Sequence, residues 1–130
     1  MVTENLSYIY PFFIVSNLQS SLGFYKEKLG FGIQFSSPAE NPFFAIIGRD
    51  NIAIMLKGNL VNTKPIPNNI IQKWARWDAF ISVIDTDSLF REFSENGVVF
   101  KKTLKEDEDG LYGFEVKDTD GDVLYFGRPK

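Results

Sequence analysis

The chain has 130 residues, 44% hydrophobic content and a formal net charge of -3, so it can form one compact domain and has no broad attraction for nucleic acid. It contains no cysteine and no histidine, which excludes disulfides, thiolate metal sites, a cysteine nucleophile and the commonest general base near neutral pH. The first residues form neither a signal sequence nor an apolar run that spans a membrane, so we expect a cytoplasmic protein without a membrane partner.

The first half of the chain predicts a strand, a helix and three further strands. An aromatic and β-branched run indicates the first strand over 8–15, where Pro11 hints at an edge or a bulge. Asn17, or the serine before it, can cap a helix whose apolar residues recur at helical spacing as far as Leu29, and Gly30 can end that helix. The three further strands are predicted at 32–36, 43–48 and 52–57.

A segment rich in Asn and Pro separates this half from a second half of the same order. The second half opens with a strand over 78–84, and Asp85 or Asp87 can cap a helix that ends near Asn96. Three more strands are predicted at 98–104, 111–117 and 122–127. We therefore expect an α+β fold of two tandem βαβββ units in one domain. Unit one covers about 6–57, the linker covers 58–76 with a short helical turn near 69–73, and unit two covers about 77–128.

The two halves also echo each other in sequence. The capping residues Asn17 and Asp85 lie 68 positions apart, and the same offset relates apolar helix positions, namely Leu22 with Phe90 and Tyr25 with Phe93. Their helical spacing indicates that these side chains pack in the core. A duplicated unit of this kind can enclose a cavity between its two copies.

Two motifs carry a family resemblance. The segment FYKEKLGFGIQF follows the first strand, and GFEVKDTDGDVLYFGRP closes the second unit. Found together in their respective units, they resemble the glyoxalase, bleomycin resistance and extradiol dioxygenase superfamily, also called vicinal oxygen chelate. The resemblance covers nearly the whole chain. It implies a homodimer in which units from two chains form two ligand grooves.

In metal-dependent members of that superfamily, four ligands come from the first and last strands of each unit. The first ligand lies seven residues before the helix cap, a position occupied here by Tyr10 and Asp78. The closing-strand position, four residues after Gly121, is Tyr125, and its equivalent in the first unit is Met55. A thioether, two phenols and one carboxylate do not meet the needs of a divalent cation. The resemblance therefore implies a protein with no metal and no cofactor.

The departure favours the metal-free branch of the superfamily, which includes bleomycin resistance proteins that hold the drug without modifying it. The expected function is binding of a small molecule, with a bleomycin-type glycopeptide as the candidate ligand and no catalytic residue. One alternative is a metal-dependent lyase or dioxygenase whose ligands are displaced to other Asp and Glu residues. A minor alternative is a cofactor-free isomerase that uses Tyr10, Tyr125 or Asp78 as acid or base.

Alternation along the strands places Phe12 on the same side as Tyr10, and Phe80 on the same side as Asp78. Two tryptophans in and beside the linker are suited either to stacking on a ligand or to packing at a dimer interface. Asp78 is interpreted as a polar contact for a cationic ligand, with a water-exposed strand start as the other reading. The predicted ligand-binding residues are Tyr10, Phe12, Met55, Trp74, Trp77, Asp78, Phe80 and Tyr125.

Overall fold

A computed structural model describes residues 3–58 and 64–130, so part of the predicted linker, 59–63, lies outside the described residues. The described chain forms the expected mixture of two four-stranded sheets and short helices. In the first unit the elements are β1 Phe12–Val15, α1 Leu18–Glu27, β2 Gly32–Ser37, β3 Phe44–Arg49 and β4 Ile52–Gly58. The linker contains α2 Asn68–Ile71. In the second unit they are β5 Ala79–Ser82, α3 Thr86–Glu95, β6 Phe100–Glu106, β7 Leu111–Lys117 and β8 Val123–Pro129.

Both sheets have the same topology. The strand orders are β1-β4-β3-β2 and β5-β8-β7-β6, and the first strand of each unit pairs in parallel with the last. Each long helix begins at the predicted cap: the Asn17 side chain accepts the Ser20 N–H at 3.0 Å, and the Asp85 side chain accepts the Ser88 N–H at 3.1 Å. The α+β fold of two βαβββ units is therefore confirmed.

The first strand is shorter than predicted. Regular pairing begins at Phe12, because Pro11 has no N–H to donate and contributes only its carbonyl, which accepts the Met55 N–H at 2.9 Å. The residues before Pro11 have no strand partner within the described chain, and Tyr8 instead stacks on Tyr10 with ring centroids 5.1 Å apart. The β-forming pattern that starts at Tyr8 thus extends beyond the strand that this chain alone can pair.

The helices pack against one face of each sheet, and both units contribute to a single buried apolar cluster. Tyr25 of α1 and Phe93 of α3 are fully buried, as their helical spacing predicted. The units are further joined by Arg49 at the end of β3, whose guanidinium donates two 2.7 Å hydrogen bonds to the Glu92 carboxylate on α3. No helix in the described part of the chain is long and apolar enough to cross a bilayer.

The opposite face of each sheet is open. No strand of one sheet pairs with a strand of the other within the described residues, so β1 and β5 each have a free edge. On the open face of the first sheet, Phe12 is 53% exposed and Ile14 is 51% exposed. Large apolar side chains are thus left uncovered by this chain.

Candidate functional site

The candidate site lies on the open face of the second sheet, and strand alternation decides which side chains it contains. Leu124 and Phe126 of β8 are buried on the helix side, so Tyr125 between them points to the open face. Tyr125 is paired in register with Phe80 on β5 and with Glu115 on β7. These three side chains therefore form a row across the sheet.

Aromatic rings cover one end of this row. The Trp77 ring centroid lies 4.7 Å from that of Tyr125 and 5.4 Å from that of Phe80, and the Phe80 and Tyr125 rings stack at 5.2 Å with an angle of 15°. The Tyr125 ring lies over two glycines. A Cβ at Gly113 would come within 2.6 Å of the Tyr125 hydroxyl, and a Cβ at Gly127 within 2.7 Å of the ring. The missing side chains are what allow the phenol to lie close to the sheet.

Two polar groups lie buried beside these rings. Glu115 is 2% exposed, and its Oε2 accepts a 2.9 Å hydrogen bond from the Trp77 indole Nε1. Tyr125 is also 2% exposed, and its hydroxyl has no hydrogen-bond partner among the described residues. Burial raises the pKa of the Tyr125 phenol, so this hydroxyl stays protonated and able to donate near neutral pH. A buried hydroxyl without a partner is uncommon and marks a place where a ligand group can bind.

Arg76 ties the linker to the loop between β6 and β7. Its Nη1 donates to Asp109 Oδ2 at 2.8 Å, and its Nη2 donates to Asp107 Oδ2 at 2.9 Å and lies 3.8 Å from Glu115 Oε2. The guanidinium also lies 4.5 Å from the centroid of the Trp77 ring. The hydrogen bond with Asp107 raises the pKa of Arg76, and the same bond lowers the pKa of Asp107.

A cavity of about 340 Å³ opens at these residues. Its charged lining has five carboxylates against three basic side chains, which gives the cavity an acidic character. The lining side chains that matter here are Arg76, Lys102, Lys105, Glu106, Asp107, Glu108, Asp109, Glu115 and Tyr125. The site thus combines flat aromatic surface, buried polar groups and excess negative charge.

The residues predicted from the sequence fall into separate groups. Trp77, Phe80 and Tyr125 are brought together in the second unit. Phe12 and Met55 are neighbours on the first sheet, where β1 pairs with β4, and Tyr10 lies just before β1. Trp74 in the linker is 78% exposed and, with α2, borders a wider cavity of about 550 Å³.

Asp78 has a different environment from the other predicted residues. Its Oδ1 accepts the Asn68 N–H and its Oδ2 accepts the Val123 N–H, each at 2.8 Å. The carboxylate therefore fixes the start of α2 and the start of β8. Both of its oxygens are bound to backbone N–H groups. Asp78 is nevertheless next to the aromatic cluster, because the adjacent residue Trp77 belongs to it.

The four positions that hold a metal in related folds do not suit a metal in this chain. Asp78 is bound to backbone, Met55 offers a thioether, and Tyr10 and Tyr125 offer neutral phenols. Within residues 3–58 and 64–130, no three acidic side chains cluster in an arrangement that could hold an ion. No reaction step through a metal is derived for this donor set.

Arg76, Asp107 and Glu115 were not among the predicted site residues. Glu115 alternates with Gly113 on β7, and that spacing could have placed it on the open face. Arg76 gave no such signal, because its partners Asp107 and Asp109 lie 31 and 33 residues away along the chain. Their meeting depends on how the linker crosses the sheet.

Comparison with known protein families and solved structures agrees with this fold. The family model for the Glyoxalase/Bleomycin resistance protein/Dioxygenase superfamily matches residues 8–125. The chain belongs to this superfamily. None of the curated proteins compared with the chain matches it.

Three solved structures illustrate the likeness. TioX from Micromonospora sp. ML1 has a TM-score of 0.74 at 17% identity, covering 95% of this chain and 99% of that one. TnmS3, an antibiotic binding protein from Streptomyces sp. CB03234, has a TM-score of 0.68 at 16% identity, covering 98% and 100%. The bleomycin-binding protein of Streptomyces verticillus, complexed with copper(II)-bleomycin, has a TM-score of 0.67 at 19% identity, covering 97% and 100%. At these identities the likeness establishes the fold.

Proposed function

We propose that this protein binds a small molecule without modifying it, in the manner of a bleomycin resistance protein. The observation that carries the proposal is the open face of the second sheet, where the rings of Trp77, Phe80 and Tyr125 pack together and the buried Tyr125 hydroxyl, without a partner among the described residues, lines a cavity of about 340 Å³. A concave site that places an aromatic surface beside a polar group free to bind is typical of small-molecule sites. The antibiotic-binding function of two structural neighbours supports the same class of ligand.

Sequestration requires shape, stacking surface and slow release, and the site supplies these features. Planar ligand groups can stack on Trp77 and Phe80, while the Tyr125 hydroxyl and Glu115 offer a donor and an acceptor that fix orientation. The proposal assigns no catalytic residue and requires no cofactor. A bleomycin-type glycopeptide is the first ligand to test.

The proposal includes a homodimer. The uncovered Phe12 and Ile14 on the first sheet and the free edges of β1 and β5 favour a partner surface, because exposed apolar faces and unpaired strands are otherwise aggregation-prone. A second copy of the chain carries the same exposed apolar side chains and free strand edges, so the two copies can cover each other. In that arrangement Tyr10, Phe12 and Met55 of one chain would complete the groove begun by the second unit of the other.

We expect analytical ultracentrifugation to give a molar mass of twice the chain mass of 14.8 kDa. Replacing Ile14 with Lys should shift it to the monomer, because a charge on the uncovered face is not tolerated in an apolar interface. Val99→Lys is the matched control, since Val99 is also highly exposed but lies between α3 and β6 of the second unit and not on the first sheet. A wild-type monomer at micromolar concentration in analytical ultracentrifugation would contradict the dimer.

We expect a bleomycin-type glycopeptide to quench tryptophan emission and to raise the melting temperature. The chain has only two tryptophans, so Trp74→Phe leaves Trp77 as the sole reporter. Quenching should persist in Trp74→Phe, because Trp77 lies against Tyr125 within the site. At a ligand concentration one hundred times the dissociation constant, linkage gives a stabilisation of about 2.7 kcal/mol.

Two outcomes would count against this reading. No change in emission or melting temperature at saturating glycopeptide would remove this drug as the ligand. Quenching lost in Trp74→Phe would move the binding site away from Trp77 and towards the exposed linker.

The competing hypothesis, a metal-dependent lyase or dioxygenase with displaced ligands, is separated by elemental analysis. Protein purified without chelator should contain stoichiometric divalent metal if that hypothesis is correct. Metal below a tenth of an equivalent, together with no turnover of a thiol adduct, would leave ligand binding as the function.

A further inference from the structure

The surroundings of Arg76 have the composition of a binding site for a planar cation. We call this the cation subsite and define it as Trp77, Asp107, Asp109 and Glu115. The Arg76 guanidinium is planar, lies 4.5 Å from the centroid of the Trp77 ring and bonds to Asp107 and Asp109 at 2.8 to 2.9 Å. A flat cation on an aromatic ring with carboxylates at its edge is how proteins recognise guanidinium and amidinium groups.

A single guanidinium lies within 4 Å of three carboxylates in this subsite. Asp107 and Asp109 receive direct hydrogen bonds, whereas the buried Glu115 lies 3.8 Å away and bonds to the Trp77 indole instead. Glu115 is almost wholly removed from solvent and is matched by no cation within hydrogen-bonding distance in the described chain. The subsite therefore retains unbalanced negative charge even when Arg76 is in place.

A second observation also points to a ligand group that binds in this cavity. The Tyr125 hydroxyl lines the same cavity, is buried and has no hydrogen-bond partner among the described residues. Asp107 and Arg76 are close enough to it to influence the pKa of the phenol. The linker arginine and the loop carboxylates thus line the same cavity as a donor that nothing in the described chain satisfies.

We propose that Arg76 is a built-in competitor that occupies the cation subsite, and that the preferred ligand is a planar aromatic cation, an amidinium or guanidinium joined to a ring, which displaces it. This inference rests on the proposed binding function of the same face. The ligand cation takes over the contacts of Arg76 with Asp107, Asp109 and Trp77, and the Tyr125 hydroxyl becomes accessible. Displacement frees the arginine side chain, which is half-buried at 33% exposure, into solvent.

Benzamidine and benzamide test this inference, because they have nearly the same shape and differ in charge. Binding is followed by Trp77 emission in the Trp74→Phe background, with and without Arg76→Gln. Removing Arg76 should tighten benzamidine binding about tenfold, because the ligand no longer competes with an internal guanidinium for the same carboxylates. Benzamide binding should change less than about twofold, because it has no charge to exchange for that of arginine.

Two further variants serve as controls. Arg91→Gln makes the same change in net charge at an exposed position on α3 and should leave the benzamidine affinity as in the parent. Arg76→Lys keeps the positive charge but loses the planar fork, so it should give an intermediate affinity. This variant also keeps the test available if Arg76→Gln does not fold, as judged by its melting curve.

Several results would overturn the inference. These are benzamidine binding that weakens or stays the same in Arg76→Gln, an equal gain for benzamide, or no binding of benzamidine to either protein. A protein that binds the glycopeptide but not benzamidine would lose this inference and keep the proposed function. A protein that binds benzamidine in an Arg76-dependent way but not the glycopeptide would sustain it and change only the identity of the drug.

Discussion

Replacing Asp118 with Ala is expected to lower the free energy of unfolding by about 3 kcal/mol. Asp118 is buried at the turn before β8, where its Oδ1 accepts the N–H groups of Asp120 and Asp122 at 2.9 Å and its Oδ2 accepts the Tyr25 hydroxyl at 2.8 Å. Tyr25 belongs to the first unit and is fully buried. The substitution leaves this hydroxyl and the turn N–H groups without an acceptor, and urea denaturation measures the loss.

Asp120→Ala in the same turn is the matched control. The Asp120 carboxylate accepts bonds from the exposed Ser16, whose backbone N and Oγ lie 3.2 and 2.6 Å away. Water can replace these bonds, so the cost should stay near 1 kcal/mol. Equal losses in the two variants would mean that the buried bond to Tyr25 adds nothing to the joint between the units.

The stability of the protein is expected to fall as pH rises from about 5 to about 8, because of Asp122. Burial, together with the nearby charges of Asp118 and Asp78, raises the pKa of this carboxyl to about 8. The unfolded side chain titrates near 3.9, so between these values the folded protein holds a proton that the unfolded chain has released. The stabilisation is full below the unfolded pKa and is lost as pH rises through about 8. The slope approaches about 1.4 kcal/mol per pH unit.

Asp122→Asn should reduce this slope to the part contributed by Asp118, whose pKa is also raised, because the amide imitates the protonated Asp122 carboxyl at every pH. The variant is expected to be more stable than the wild type above pH 8 by a few kcal/mol, with a difference that shrinks towards pH 5. Asp50→Asn, at an exposed turn, should follow the wild-type curve. Glu92 and Asp107 do not interfere, since their pKa values are lowered and the stabilisation they contribute is constant above the unfolded carboxyl pKa values of about 4 and is lost only at lower pH. A difference that is constant with pH would show that Asp122 is ionised in the folded state.

The expected loss of stability in Asp118→Ala and the expected pH dependence from Asp122 both arise in the acidic turn between β7 and β8. Its carboxylates are used to join the units: Asp118 binds Tyr25 and Asp120 binds Ser16, both from the first unit. The pKa of Asp118 is also raised, chiefly by burial. Because burial raises the pKa of both Asp118 and Asp122, we expect the packing of the two units at this turn to depend on pH.

The turn combines features that follow from the local sequence with one that does not. Its shape follows from local chemistry, because Gly121 adopts a positive φ of 89° and its N–H bonds to the Asp118 carbonyl. The helix caps at Asn17 and Asp85 are local in the same sense, which explains why both helices begin where the sequence predicts. The bond from Tyr25 to Asp118, across 93 residues, left no local pattern.

The candidate site also has some residues that the sequence predicted and others that only the tertiary structure revealed. The family resemblance located Tyr125 by counting from Gly121, and alternation from Asp78 placed Phe80 on the same side of the strand. Both oxygens of Asp78 bind backbone N–H groups, which come from α2 and β8. Only the assembled sheet shows this, since Val123 is 45 residues away.

The sequence by itself determined the two βαβββ units and the helix starts, because these depend on periodicity, caps and turns within a few residues of each other. The resemblance carried by its two motifs implied the superfamily and placed Tyr10, Met55, Asp78 and Tyr125 at the four metal positions. The tertiary structure alone decided that Arg76 lies on Trp77 among three carboxylates and that the Tyr125 hydroxyl is buried without a partner among the described residues. The contacts of Arg76 and Trp77 with those carboxylates join residues 31 to 39 positions apart, and their geometry is set by how the linker packs across the finished sheet.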